Sequence, residues 1–352
     1  MRFRFNEFYT NIIISREVPD IKEICGELNV SAGNILFIAD ENTLPVVKKI
    51  LCSADIPVCV LQSGEENKNW QSAEKILKAA KDAGLGRDSL FIAAGGGVIC
   101  DLCAFAASVY MRGCRLALIA TTLLAMVDAA VGGKTGFDLF GIKNLTGTFY
   151  PAQAVYMPLE SLSTLPQKEF KSGFAEIIKT AVLSGDDFLD RIADNKNKDD
   201  LLCEFIEKSV NYKASIVSED LRESGKRMLL NLGHTFGHAL ESAAGLGNIT
   251  HGEAVAWGMA RACELGIALG ITPQKRAKKI KDLIVSCDYD LACPHPYAKD
   301  IDVLLDAMKN DKKKAKKGLT FIVPDAQSAS ITVIESEDEY KLLRNVLEGR
   351  FT

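Results

Sequence analysis

Three of the chain's four histidines fall between positions 234 and 251, in Asn231-Leu-Gly-His234-Thr-Phe-Gly-His238-Ala-Leu-Glu241 and in His251-Gly-Glu253. Imidazole binds transition metals and trades protons near neutral pH. Histidines placed for packing alone would be scattered, so this clustering points to a built metal or catalytic site. Asn231, His234 and His238 are spaced three and then four apart, which on a helix puts all three on one face. Gly173-Phe-Ala-Glu176-Ile-Ile-Lys179 reads as a helix with a carboxylate and an ammonium on one face. Its flanks are apolar, which sets the pair apart from a solvated surface ion pair of little energetic consequence. Glu176 would complete a two-histidine, one-carboxylate set, and such a set leaves positions open on zinc for substrate oxygens.

Two glycine-rich turns offer a different chemistry. Gly95-Gly96-Gly97-Val-Ile-Cys-Asp101 follows an apolar strand pattern and opens a helical one. Glycines there let a backbone approach a phosphate, with the helix amino terminus facing the negative charge. It is not the GxGxxG fingerprint, and its place at the carboxyl end of a strand is what favours a dinucleotide. Val131-Gly-Gly-Lys134-Thr135-Gly136 resembles a fragment of a P-loop, but Asp128 stands where the first glycine of that motif belongs. ATP hydrolysis is disfavoured, and a lysine on a rigid turn, followed by Lys143-Asn144, suits a sugar phosphate or a carboxylate. In Lys309-Asn-Asp-Lys312-Lys313-Lys314-Ala-Lys316-Lys317 most lysines read as a solvated loop, with one or two able to reach an anion.

The elements that position these residues follow from apolar periodicity. Asn34–Asp40, Ile56–Leu61, Ser89–Ala94 and Arg115–Ala120 read as buried strands, and Trp70–Ala83 as an amphipathic helix between two of them. That alternation implies βαβ units and a parallel sheet. Long helical patterns follow: Ser172–Leu183, Asp199–Ser218, Met228–Ala244, Gly252–Leu269 and Lys275–Ser286. Leu319–Val323 and Ser330–Ile334 read as late strands. The texture changes near Leu165-Pro166, which places the domain boundary at 168: an α/β domain over 1–168 and a mostly helical one over 169–352, with a shared cleft for the ligand.

Composition excludes several classes. A formal net charge of −4 gives no reason to expect nucleic acid or an anionic membrane as a partner. The amino terminus lacks the apolar stretch of a signal peptide. Leu90–Met111 is the most membrane-like region, but Asp101 and three consecutive glycines interrupt it, so a buried strand and a buried helix explain it better. The ten cysteines are expected as reduced, mostly buried thiols. Cys100-Asp-Leu-Cys103 has CxxC spacing, but no second pair accompanies it.

Taken in order, these segments resemble the 3-dehydroquinate synthases, NAD-dependent cyclases of the shikimate pathway of aromatic amino-acid biosynthesis. The likeness runs from about Asp40 to Lys313. It rests on Gly64-Glu65-Glu66-Asn67-Lys68, the Gly95–Asp101 turn, Tyr110-Met-Arg112-Gly113, Thr121-Thr122 through Gly136, Lys143-Asn144, Ala175–Lys179, Arg227–Ala239 and His251-Gly-Glu-Ala-Val. The resemblance implies a Rossmann-like α/β domain with a parallel sheet, a mostly α-helical second domain, and an active site in the cleft between them. It implies Glu176, His234 and His251 as metal ligands, for zinc or cobalt. Asp40, Asn42, Glu65, Lys68, Gly96, Gly97, Asp101, Thr121, Thr122, Asp128 and Lys143 fall at NAD-holding positions. Lys134, Asn144, Lys179, Lys213, Arg227, Asn231 and His238 fall at substrate-binding and catalytic positions.

Arg112 matches an arginine that reaches the neighbouring subunit's site, which implies a homodimer; the resemblance also implies a cytoplasmic enzyme acting on a sugar phosphate. Cys100, Ala104 and Ala120 stand where the pattern has two glycines and a proline, and Asp138 stands where it has an asparagine. Other sugar-phosphate cyclases share this pattern, and metal- and NAD-dependent polyol dehydrogenases resemble the architecture.

Overall fold

The computed structural model describes residues 1–194, 201–245, 247–311 and 318–350. The lysines at 312–314 and 316–317 lie outside the described residues. The chain divides into two compact units: Met1–Phe170 with Ile206–Arg222, and Lys171–Phe205 with Glu223–Thr352. After a first excursion the chain thus returns to the first unit, so the units are not two successive halves of the sequence.

In the first unit the strands are β1 (Arg2–Phe5), β2 (Phe8–Ser15), β3 (Ile35–Asp40), β4 (Val58–Leu61), β5 (Leu90–Gly95), β6 (Arg115–Ala120), β7 (Phe137–Leu139), β8 (Ile142–Thr146) and β9 (Ala154–Pro158). Seven of them form one sheet in the order β1-β2-β9-β6-β5-β3-β4, and only the β1–β2 pairing is antiparallel. Strands β3 and β5 are buried along their whole length, the mark of a parallel sheet covered on both faces. Helices α1 (Ile21–Leu28), α2 (Leu44–Leu51), α3 (Trp70–Asp82) and α4 (Gly97–Val109) make the crossovers. Ile24, Val47 and Ile50 from α1 and α2 pack with Ile35, Phe37 and Ile92 of the sheet in one apolar core. Side chains cap two of these helices: Asp20 with Glu23 closes a capping box on α1, and Asn69 accepts from the Ser72 N–H on α3.

Because β4 lies on one side of β3 and β5 on the other, the winding reverses between β3 and β5. Their carboxyl ends carry Asp40 and Gly95, and the crevice at such a switch point is where open α/β sheets bind ligands.

Three helices of the second unit matter most for the site: α5 (Gln167–Ser184, entering this unit at Lys171), α8 (His234–Ala244) and α9 (His251–Ala268). Around them lie α6 (Asp186–Ala193), α7 (Leu202–Glu219, which passes into the first unit at Ile206), α10 (Gln274–Ser286), α11 (Ile301–Asp311), the β10–β11 hairpin (Leu319–Pro324, Ala329–Ile334) and α12 (Glu337–Leu347). Phe236 of α8 packs on Trp257 of α9 and on Phe321 of β10, all buried.

The helix expected over Met228–Ala244 is broken. Lys226–Asn231 is a short 3-10 helix, and α8 starts only at His234 because Gly233 sits in the left-handed region at φ 81°, ψ −20°. Asn231 therefore does not share a helix face with His234 and His238, contrary to the spacing argument. Gly233 also faces Gly258 of α9: a Cβ on Gly258 would lie 2.0 Å from the Gly233 carbonyl oxygen. Gly258→Ala must therefore push α8 and α9 apart, and should lower stability by about 1–3 kcal/mol through overpacking. Urea denaturation checks this, and an unchanged midpoint would contradict the described contact.

Candidate functional site

Glu176 lies in the middle of α5, His234 opens α8 and His251 opens α9. One ligand atom from each falls within 4.8 Å of the others. His251 Nε2 is 3.3 Å and His234 Nε2 3.7 Å from the same Glu176 oxygen. A tetrahedral zinc with bonds of about 2.0–2.1 Å has ligand–ligand edges of about 3.3–3.4 Å. The donor set and its spacing therefore fit a divalent metal such as zinc or cobalt.

Local sequence explains each placement. Thr250 caps α9 through a capping box: its hydroxyl accepts the Glu253 N–H, while the Glu253 carboxylate accepts from the Thr250 N–H at 2.8 Å and hydroxyl at 2.6 Å. Glu253, though part of the histidine-rich segment, is thus occupied in holding the helix start. The His234 Nδ1 lies 3.2 Å from the Leu232 carbonyl, which favours Nδ1–H and leaves Nε2 as the metal-facing lone pair. On Glu176, side-chain exposure is 1%. Lys179, one turn on, makes an ion pair with it and is equally buried, so this is no surface pair.

Burial and the Lys179 ammonium hold His234 well below its usual range, as a neutral metal ligand requires. His251 behaves oppositely: burial opposes its charge, but Glu176 on one side and Glu241 on the other push it up to about 10. His238, one turn beyond His234 on α8, is exposed and outside this triad. Arg227 is buried in the 3-10 segment. Asn231 donates to the carboxylate of Glu223, a residue that spacing did not single out.

Within the first unit a second group assembles. Lys68 Nζ donates to Asp101 on α4 and to the Asn144 side-chain oxygen on β8, both at 2.6 Å. Burial opposes its charge, but Asp101 and Glu65 hold the ammonium above its ordinary range. The Asp40 carboxylate accepts from Thr43 N–H and hydroxyl at 2.8 and 2.9 Å, shaping the turn after β3, where Asn42 is exposed. Gly96 is the N-cap of α4 and has an ordinary φ of −78°; space is what it needs, since a Cβ would sit 3.1 Å from Thr122. Thr121 is buried and donates its N–H to the Gly95 carbonyl. Asp128 lies in a π-helical turn, Ala125–Ala129, and pairs with Lys213 of α7. Lys134, Lys143 and Arg112 are exposed, and Arg112 has φ 67°. Cys100 and Cys103 are free thiols inside α4, with burial pushing both up, so they behave as core residues. Among the described residues, no helix is long and apolar enough to cross a membrane.

Two family models, described as 3-dehydroquinate synthase N-terminal and 3-dehydroquinate synthase C-terminal, match residues 58–172 and 173–314. The chain belongs to the 3-dehydroquinate synthase family. A 3-dehydroquinate synthase of Helicobacter pylori is 43% identical over 313 residues, 89% of each chain. Among solved structures, 2-deoxy-scyllo-inosose synthase in complex with carbaglucose-6-phosphate, NAD+ and Co2+ matches with a TM-score of 0.83 at 24% identity, over 99% of both chains. The 2-epi-5-epi-valiolone synthase from Streptomyces hygroscopicus with NAD+ and Zn2+ bound gives 0.82 at 23% identity, over 99% of both. These two likenesses speak for the fold. Membership of the 3-dehydroquinate synthase family rests on the sequence matches.

For this family member the triad geometry makes two predictions. His251→Ala should lose tight zinc binding and His238→Ala should keep it, read by metal content after dialysis; equal loss in both would refute the division. Zinc must also displace the proton that Glu176 and Glu241 hold on His251, so affinity should rise with pH, by about tenfold per unit where one proton is displaced. Titration with a competing chelator between pH 6 and 8 checks the slope.

Proposed function

We propose that the protein converts 3-deoxy-D-arabino-heptulosonate 7-phosphate to 3-dehydroquinate and phosphate, as a cytoplasmic, homodimeric enzyme using NAD and zinc or cobalt. The observation that carries this reading is the Glu176–His234–His251 cluster, in a chain that matches named 3-dehydroquinate synthases along most of its length. When bound, NAD would supply a reversible hydride acceptor, and a divalent ion held by Glu176, His234 and His251 would supply the Lewis acidity that acidifies a substrate hydroxyl.

The protein's part is placement. Glu176, His234 and His251 hold the metal. Asp40, Asn42, Glu65, Lys68, Gly96, Gly97, Asp101, Thr121, Thr122, Asp128 and Lys143 hold the dinucleotide, with the β3/β5 switch point and the amino end of α4 receiving its phosphates. Lys134, Asn144, Lys179, Lys213, Arg227 and Asn231 orient the two anionic ends of the substrate. His238, exposed beside the triad, moves protons there. Arg112, exposed and held at positive φ, reaches the phosphate in the site of a second copy of the chain.

The chemistry closes without net oxidation. Oxidising one hydroxyl would acidify the neighbouring C–H, whose loss would expel phosphate, and reduction of the same ketone would restore the hydroxyl. The ring opens and recloses as a carbocycle by an intramolecular aldol step. Positioning two anionic ends is a large source of rate in such a sequence.

With the heptulosonate phosphate, zinc and trace NAD, phosphate release should greatly exceed the NAD supplied. NADH accumulating in step with a simple polyol would instead mark a dehydrogenase and overturn the reading. His238→Ala should lower kcat by about 10²–10⁴-fold.

A further inference from the structure

We propose that Glu241 is the outer partner of the metal centre, its carboxylate taking the Nδ1–H of His251 so that Nε2 is presented to the ion. This rests on Glu176, His234 and His251 being the ligands. Glu241 lies on α8, two turns beyond His234 and on the same face. Its side chain is 12% exposed, and its Oε2 lies 3.9 Å from His251 Nδ1. On the opposite edge of the ring, Nε2 lies 3.3 Å from Glu176. The two nitrogens of His251 thus face two carboxylates, one from α5 and one from α8.

At His234 the same logic is met differently: Nδ1 has the Leu232 carbonyl at 3.2 Å. Among the described residues, Glu241 is the acceptor that faces the His251 Nδ1 and so is placed to fix that ring. The terminal torsion of a glutamate is soft, so its carboxylate can turn to close 3.9 Å to a hydrogen bond. Outer carboxylates of this kind set the tautomer of a metal-bound histidine and raise its basicity.

A competing arrangement exists, because His238, Glu241 and His251 also offer atoms within 4.8 Å of one another. Burial decides between them. Glu176 is 1% exposed and close to both Nε2 atoms of the first triad, whereas His238 is exposed.

The test compares Glu241→Ala, Glu241→Gln and Glu176→Gln in the full chain, measuring zinc affinity by chelator competition and the cobalt(II) absorption spectrum. Glu241→Ala should bind zinc about 10–100-fold more weakly. Glu241→Gln, whose amide oxygen still accepts a hydrogen bond, should recover part of that loss and shift the cobalt bands without changing the stoichiometry of one ion. Glu176→Gln should bind little or no metal. Zinc affinity unchanged in Glu241→Ala would overturn the proposal while leaving the ligand assignment intact. Loss of metal in Glu241→Ala with retention in Glu176→Gln would make Glu241 a ligand and overturn both.

Discussion

Three helices bring Glu176, His234 and His251 to one point only if their backbones nearly touch, and in the second unit small residues at the crossings allow it. A Cβ on Gly252 would fall 2.3 Å from the Ser172 carbonyl oxygen, and one on Gly237 would fall 3.0 Å from that of Ala254. Ser172 stands one turn before Glu176 on α5, and Gly252 directly follows His251 on α9. The Gly252 N–H donates to the Ser172 hydroxyl at 3.0 Å, so the same contact that brings the helices together fixes their register. Any side chain at these crossings would move one ligand relative to the others. Metal sites tolerate only tenths of an ångström of such movement.

The charges at this point also make sense only as chemistry. Burying a lysine and a glutamate together costs about as much in desolvation as the pairing returns, so stability alone is a poor reason to keep Glu176 and Lys179 where they are. As a metal site the pair is useful. Lys179 compensates the Glu176 carboxylate, burial and then Lys179 suppress the proton on His234, and Glu176 and Glu241 outweigh burial to retain one on His251. A dication bound there would meet one imidazole held neutral and one that has to release a proton.

How much of this was legible in the sequence varies with the physics of each element. Long apolar periodicity gave β3 to β6 and the helices α3, α5, α7, α9 and α10 with boundaries shifted by up to about five residues, and it did not register α6. The β1–β2 hairpin and β7–β8 were not legible, because short, partly exposed strands carry little alternation; Phe140 at the β7–β8 tip is 87% exposed. Treating Met228–Ala244 as one helix failed at Gly233, whose positive φ periodicity does not register. The Thr250–Glu253 cap was written in the sequence as a T-x-x-E box and would have put the start of α9 at His251. Glu223 and Glu241 left no such signal: their roles depend on which groups the fold sets opposite them. The return of Ile206–Arg222 to the first unit is likewise a matter of tertiary packing.

Asp138, which stands where the family pattern has an asparagine, finds its explanation in the same terms. Its carboxylate accepts the Asn144 N–H at 2.7 Å, and its own N–H donates to the Lys68 carbonyl at 2.8 Å. Asn144 sits at φ 51°, a left-handed conformation that asparagine tolerates better than most residues, and the Asp138 acceptor helps hold its backbone there. An asparagine side-chain oxygen would accept that bond equally well, so the local geometry does not require a carboxylate. What the carboxylate adds is charge: together with Asp101 and Glu65 it supports the ammonium of buried Lys68, which in turn donates to the Asn144 side chain. The substitution therefore keeps the scaffold that aims Lys68 and Asn144 and strengthens the field that keeps Lys68 charged.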